Sequence, residues 1–527
     1  MANTCDEGGS WDHEKYRNIS QMSGNHEPSH GLTHDDTTPT HLASDPKGKD
    51  RQPRPTHRYK PKPRLERYLG FLPMLSFAAT LQASWESLAG SLYAGLLNGG
   101  PVVIIYGLTL SFVGSLSLTL SMAEMASINP VAGAQYRWTY ELAPVAPRFL
   151  SFIQGWVVAW WANVAIGPCL VGTEIQGLLI QNYPSCKPQN WHGTLLVFAV
   201  LILPLLVNIF ARRLLAPFEV WSGIIHLLSY PAIMVVMIVL GQRHTSFGCH
   251  NHGVIYSIGL LTAAFTLSSF DGLIHMSEEV NDAPRAVPRS MLWGLVLNAT
   301  LAFGLAIALL YFMRDYSAVL KSATGYPIIE IFYVQTGSKA AASAMMLPLL
   351  LSGFYSSFNV LTSVSRLTWA FARDEGFPFS AFFSHVSPRY TLRSLFLVTA
   401  IAVLIALINI GSSAAFNAVL SLDTLALYIS YLVPVLFILM KRIRNPQNLQ
   451  WGPYNLGKWG IPINIFALLY GTYITIFLPW PETRPVTASN MNYGAPVFGI
   501  ALLFAVVDWF APGHKKWNGP TLVIAPK

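Results

Sequence analysis

Glu86 is the only acid in the run Ser76-Phe-Ala-Ala-Thr-Leu-Gln-Ala-Ser-Trp-Glu-Ser-Leu-Ala-Gly90, where the polar stretch Gln82–Ser87 interrupts apolar sequence. A carboxylate buried among apolar groups is costly unless it is paired. Glu86 is therefore a candidate to receive an ammonium group, with Ala83, Ser84 and Trp85 in the same interruption. An acid there also suits the first turn of a helix, at the positive end of its dipole. A second interruption, Ser268-Ser269-Phe270-Asp271-Gly272, is followed by Glu278, Glu279, Arg285, Pro288 and Arg289. Such acids and bases can pair in one conformation and part in another. They can equally be charges at a helix end with little energetic weight.

Other polar groups lie in apolar surroundings: Glu174, Glu219, His226, His275, Asp423 and Asn359. Imidazole suits proton coupling, which makes His226 a coupling candidate, although a hydrogen-bonded structural histidine reads the same way. Trp156, Trp160, Trp161 and Asn163 could line an aromatic pocket for a cationic amine, or the tryptophans could pack or face lipid. Six histidines before residue 60 are irregularly spaced and form no metal-ligand pattern.

These groups need elements to position them, and composition says which. Of 527 residues, 11% are charged and 52% hydrophobic, with a mean hydropathy of +0.40. That is far too little charge to coat a soluble protein, where about 25% is usual. Twelve apolar runs follow Gly70, at about 70–98, 101–125, 149–180, 193–211, 214–241, 253–278, 290–313, 340–365, 394–415, 417–440, 460–480 and 494–511. Each is at least 18 residues long, and a helix needs roughly 20 to cross the hydrocarbon core. None alternates as a barrel strand does. The expectation is an all-α polytopic membrane protein with 12 transmembrane helices. The two interruptions fall in spans 1 and 6, five spans apart, which suggests two five-helix halves. Broken helices expose backbone groups and helix-end dipoles to a small ligand.

Residues 1–63 are polar and lack any apolar period, so they read as a disordered tail. The transporter domain is expected over 64–515, and a short tail over 516–527. With the N-terminus in the cytosol, 28 Lys and Arg fall on the inner side and 6 on the outer, so both termini are expected in the cytosol. Cys186 and Cys249 then both lie in outer loops, where a disulfide or two free thiols are open readings. The net charge of +8 is spread over short loops rather than gathered on one face, which argues against nucleic acid as a partner. No metal-ligand cluster or nucleophile motif supports an enzyme.

Several segments carry a resemblance. Ser269-Phe-Asp-Gly-Leu-Ile-His-Met-Ser-Glu-Glu-Val-Asn-Asp-Ala-Pro-Arg-Ala-Val-Pro-Arg289 is similar to the span 6 signature of the amino acid/polyamine/organocation superfamily. It is closest to the fungal amino acid/choline transporter branch. Ser84-Trp-Glu-Ser, Asn98-Gly-Gly-Pro101, Ala123-Glu-Met-Ala-Ser-Ile-Asn-Pro-Val-Ala-Gly-Ala-Gln-Tyr-Arg-Trp138 and Ser365-Arg-Leu-Thr-Trp-Ala-Phe-Ala-Arg-Asp-Glu-Gly-Phe-Pro378 match it too, in order.

The resemblance implies a five-plus-five inverted repeat with two extra helices. It implies a permease for amino acids or related small amines, driven by a proton gradient with no other cofactor, at the plasma membrane, with the vacuole or another endomembrane as the alternative. The implied site holds a carboxylate at the Ala83–Trp85 backbone and an amine at Ser268–Gly272. Tail lysines, here Lys47 and Lys49, imply a ubiquitin-dependent endocytic partner. Bacterial relatives often carry a lysine near the Tyr230 position; this chain has none there, which leaves the proton carrier open. Transport or export of choline, a polyamine or an amine natural product is the alternative, and a nutrient sensor with little flux a further one.

Overall fold

The structure is a computed structural model. It describes Leu65 and Arg67–Pro520, except residues 159–162, 184, 186, 188, 211–214, 242–252, 314–315, 387–390, 412, 482–484 and 488–490. Chain contacts divide the molecule into Met1–Pro61 and Lys62–Lys527, and the second unit is the one described here. The expected 1–63 tail, Lys47 and Lys49, Trp160 and Trp161, and Cys186 and Cys249 all lie outside the described residues.

In order, the helices are α1 (Phe71–Gln82), α2 (Ser84–Leu97), α3 (Gly100–Ile128), α4 (Ala134–Leu142), α5 (Pro147–Val158), α6 (Asn163–Asn182), α7 (Asn190–Phe210), α8 (Leu215–Leu240) and α9 (Gly253–Thr266). A 3₁₀ segment, Gly272–Glu279, precedes α10 (Ala283–Phe312), α11 (Tyr316–Leu320), α12 (Pro327–Thr336) and α13 (Lys339–Arg373). Then come α14 (Ser380–Phe383), α15 (Leu392–Gly411), α16 (Ser413–Arg444), α17 (Gly460–Phe477) and α18 (Gly494–Asp508). The fold is all-helical. Among the described residues, ten helices are long and apolar enough to cross a membrane. The stretches expected as spans 1 and 6 are not among the ten because each is divided, into α1 and α2 and into α9 and the 3₁₀ segment.

Packing follows the two-halves pattern. Span 2 packs on span 7 (α3 on α10), span 3 on span 8 (α6 on α13), span 4 on span 9 (α7 on α15), and α2 on α9. The last two helices pack on α16, with α17 also against α3 and α18 also against α5. Ile500, Leu503 and Val507 of α18 point away from the bundle, as lipid-facing residues should.

Lipid supplies no hydrophobic drive between helices, so close backbone approach matters more. A Cβ on Gly294 of α10 would stand 2.7 Å from Ala78 Cβ, and one on Gly223 of α8 2.6 Å from Ser76 Oγ. These two glycines clamp α1 between α8 and α10.

The segment after α18 packs back on the bundle. Trp517 is fully buried there, with ring centroids 5.4 Å from Phe371, 5.7 Å from Phe152 and 5.9 Å from Tyr136. Arg148 Nε donates to its carbonyl at 3.1 Å. Burial, and then the neighbouring Asp374 carboxylate, push the Tyr136 phenol far above its ordinary range. It is therefore the donor to Asp374 Oδ2 at 2.9 Å.

Candidate functional site

Span 1 breaks at Ala83, whose left-handed backbone (φ 40°, ψ 50°) ends α1 and begins α2. That conformation costs an alanine about 1–2 kcal/mol and needs outside support. Asn298 of α10 supplies it: Oδ1 accepts the Ser84 amide at 3.0 Å, and Nδ2 donates to the Ala79 carbonyl at 3.1 Å. Ser356 of α13 donates to the Leu81 carbonyl at 2.9 Å. Span 6 breaks after Thr266, turns at Ser269 (φ 61°) and resumes as the 3₁₀ segment. There Ser363 of α13 donates to the Gly272 carbonyl at 2.6 Å.

A cavity opens between the two breaks. It spans about 760 Å³ of empty space, open mouth included, and among the described residues no Lys, Arg or His lines it. Its polar wall is Gln82, Glu86 and Ser87 from span 1, Asn163 and Glu174 from α6, Ser268 and Ser269 from span 6, Ser356 from α13, and Asp423 and Thr424 from α16. Three carboxyl groups therefore converge on one space. Glu86 is 5% exposed and its Oε1 lies 2.7 Å from His226 Nδ1. Its Oε2 and Asp423 Oδ1 are buried without a protein partner among the described residues. Glu174 stands opposite Gly90, one turn beyond Glu86, where a Cβ would lie 3.0 Å from Glu174 Oε1. Among the described residues no three His, Cys, Asp or Glu are grouped closely enough to hold a metal ion.

Glu86 sits in the first turn of α2 and also in the cavity wall. Ala83, Asn163, Ser268 and Ser269 line the cavity with it. Ser84, Trp85, Phe270, Asp271, Gly272 and Asn359 do not. Trp85 packs beside His226 at 6.0 Å between ring centroids and edge-on to Tyr230. Asp271 accepts from Tyr431 Oη at 2.5 Å and Gln135 Nε2 at 2.6 Å, with His275 Nε2 at 3.8 Å. Phe270 lies against the same Tyr431 ring, 4.9 Å away. Asn359 donates to Thr80 Oγ1 at 2.8 Å and Glu219 Oε2 at 3.3 Å, bridging α1, α8 and α13. Trp156 packs on Phe371 and Phe504.

The pairing expected at the mouth forms with other partners. Glu279 bonds Arg366 Nε at 2.9 Å and Glu278 bonds Arg373 Nη1 at 2.8 Å, both arginines coming from α13. Arg285 instead meets Asp282 at an exposed 3.2 Å contact, and Arg289 is exposed. The reason is geometric. Arg285 and Arg289 lie on the outward face of the first turns of α10, whereas α13 runs directly past the 3₁₀ segment. The Glu279 carbonyl also accepts the amides of Tyr68 and Leu69 at 3.0 and 3.1 Å, and Asn281 N donates to Leu69 O at 2.9 Å. The segment before α1 is thus tied to the end of span 6.

Sequence reasoning left Glu174, Asp423 and Asn298 out of the site. Each carried the signal of a polar side chain inside an apolar span.

Paired helices with two matching breaks around a cavity lined by carboxyl groups define a broken-helix membrane carrier. A model of the amino acid permease family matches residues 69–503, and the chain belongs to that family. A Macrophomina phaseolina protein named for amino acid/polyamine transport is 31% identical over 80% of this chain and 96% of its own. A choline transporter of Saccharomyces cerevisiae is 30% identical, over 83% of this chain and 80% of that one. Amino-acid permease 2 of Neurospora crassa is 27% identical over 84% of each. The chain is a multi-pass membrane transporter and not an enzyme.

Proposed function

We propose that this permease carries a small cationic amine without a carboxylate, such as choline or a polyamine, by alternating access. The observation that carries the reading is the cavity wall: among the described residues three carboxyl groups and no basic side chain, and a mid-break amide at Ser84 already bonded to Asn298. An amino acid would bring a carboxylate up against those three carboxyl groups with one fewer backbone donor to receive it. The choline and polyamine names among its relatives support the same class. A proton gradient drives the cycle, the membrane is the plasma membrane, and both termini face the cytosol, as the Lys and Arg asymmetry supports. Turnover through ubiquitination of Lys47 and Lys49 belongs to the same reading.

The test is uptake in a host lacking its own amine permeases, with choline, putrescine, 4-aminobutyrate and neutral amino acids as labelled solutes. The expected result is saturable uptake of choline or putrescine that amino acids compete with weakly. Preferential uptake of a neutral amino acid would instead favour amino acid transport with its carboxylate at the Ala83–Trp85 backbone.

A further inference from the structure

The cavity wall offers more than carboxyl groups. Among the described residues, three of its polar atoms are buried without a hydrogen-bond partner: Glu86 Oε2, Asp423 Oδ1 and Gln82 Nε2. The two carboxyl oxygens are acceptors, and a cationic amine answers them. Gln82 Nε2 is a donor, and an ammonium group, which has no lone pair, cannot answer it. A buried donor left unmet is costly. A bare cation therefore satisfies only part of this wall.

Gln82 is 5% exposed and is the last residue of α1. Its backbone is held on both sides. Ser356 donates to the Leu81 carbonyl at 2.9 Å, the Ser87 hydroxyl donates to the Gln82 carbonyl at 3.4 Å, and Ala83 turns the chain into α2. Leu81 is wedged against span 6, where a Cβ on Gly272 would stand 2.4 Å from Leu81 Cδ2. The amide thus starts from a rigid point, which lowers the cost of ordering it around a ligand. The hydroxyls of Ser87, Ser268 and Ser356 give their protons to the main-chain carbonyls of Gln82, Phe265 and Leu81. They can accept from a ligand but their protons are already placed.

We infer that Gln82 is a specificity-determining residue, which selects amines that carry a hydroxyl close to the nitrogen. This rests on the cationic amine reading and narrows it. The nitrogen stands among the carboxyl groups. The hydroxyl oxygen accepts from Gln82 Nε2, and its proton goes to a carboxyl oxygen, Glu86 Oε2 or Asp423 Oδ1. One small molecule then meets both kinds of unpaired atom. Gln82 closes α1 and Glu86 lies in the first turn of α2, so the two flank the break and the hydroxyl belongs on a short arm. Choline and ethanolamine fit this description. A diamine has no acceptor and leaves Gln82 unmet.

Two matched pairs of ligands test this: choline against n-propyltrimethylammonium, and ethanolamine against n-propylamine. Within each pair a hydroxyl is exchanged for a methyl group of similar size, and the charge is the same. Binding of all four to the full-length protein, purified in detergent, is measured by calorimetric titration. Wild type is expected to bind the hydroxylated member of each pair about tenfold more tightly. In Gln82→Met, which keeps the length and removes the donor, that ratio should fall to near one. Should Gln82→Met fail to fold, as thermal unfolding reads, Gln82→Leu takes its place, and the wild-type ratios are a test that needs no variant. Equal affinities within the pairs in wild type, or a ratio that survives loss of the Gln82 amide, overturn the role of Gln82 and leave the cationic amine reading standing. Failure of folded wild type to bind any of the four overturns that reading, and the inference with it.

Discussion

Arg366 and Glu279 meet at 2.9 Å with both side chains buried, and the carbonyl of that same Glu279 accepts the amides of Tyr68 and Leu69. One residue thus joins α13, the end of span 6 and the segment leading into span 1.

Removing one member of that pair leaves the other charge buried and unpaired. Arg366→Ala is expected to cost about 3–5 kcal/mol, read as a large fall in the unfolding temperature of purified protein. The double change Glu279→Leu with Arg366→Met should recover much of it. If the single variant unfolds like wild type, the pair is not a strut.

Asn298→Ala removes the side chain that bridges Ser84 and Ala79 across the break. A loss of about 1–3 kcal/mol is expected, together with weakened amine uptake, because the break is no longer held open toward the cavity. Asn298→Asp, which cannot donate to the Ala79 carbonyl, should restore little. Stability and uptake of the three forms, measured side by side, check this.

Asp423→Asn and Glu174→Gln each take one counter-charge from the cavity wall. Putrescine, with two ammonium groups, should lose more affinity than choline, by roughly tenfold, corresponding to about 1.4 kcal/mol. Competition uptake with both solutes measures the ratio. Equal losses for the two would place these carboxyls outside the region where the second ammonium lies.

Asp271→Ala should act as a packing and hydrogen-bond defect and not as loss of an ammonium ligand. Tyr431 and Gln135 would each lose a buried partner, at about 1–3 kcal/mol apiece. The expected signature is a fall in stability and transport rate with little change in the ratio of choline to putrescine affinity. A selective loss for one amine would instead bring Asp271 into contact with substrate.

Trp517→Ala empties a slot between α4, α5 and α13 that Tyr136, Phe152 and Phe371 close. Large-to-small changes of this kind cost about 3–5 kcal/mol, and thermal unfolding reads the effect. Trp517→Phe should lose much less.

The breaks were legible because a membrane span cannot hide Gln82–Ser87 or Ser268–Gly272 in an apolar run. Glu86 was legible for the same reason. Partner choice was not. The spacing of Glu278 and Glu279 to Arg285 and Arg289 suggested neighbours, yet α13 supplies Arg366 and Arg373, 87 and 95 residues beyond their partners. Nor could spacing tell Asp423, which faces the cavity, from Asp271, which faces Tyr431 and Gln135. That difference depends on how each helix is rotated, and in an apolar environment the hydrophobic pattern hardly marks a face.

The glycine contacts of Gly294 with Ala78 and Gly223 with Ser76 leave no padding on either flank of α1. Slack of that kind is what would let a helix tilt by itself. Between these three segments motion must be shared, so α1 travels with α8 and α10 as one rigid lever. Spin labels across the Glu279–Arg366 seam should report distance changes during turnover, while labels on α1 and α10 should stay at fixed separation.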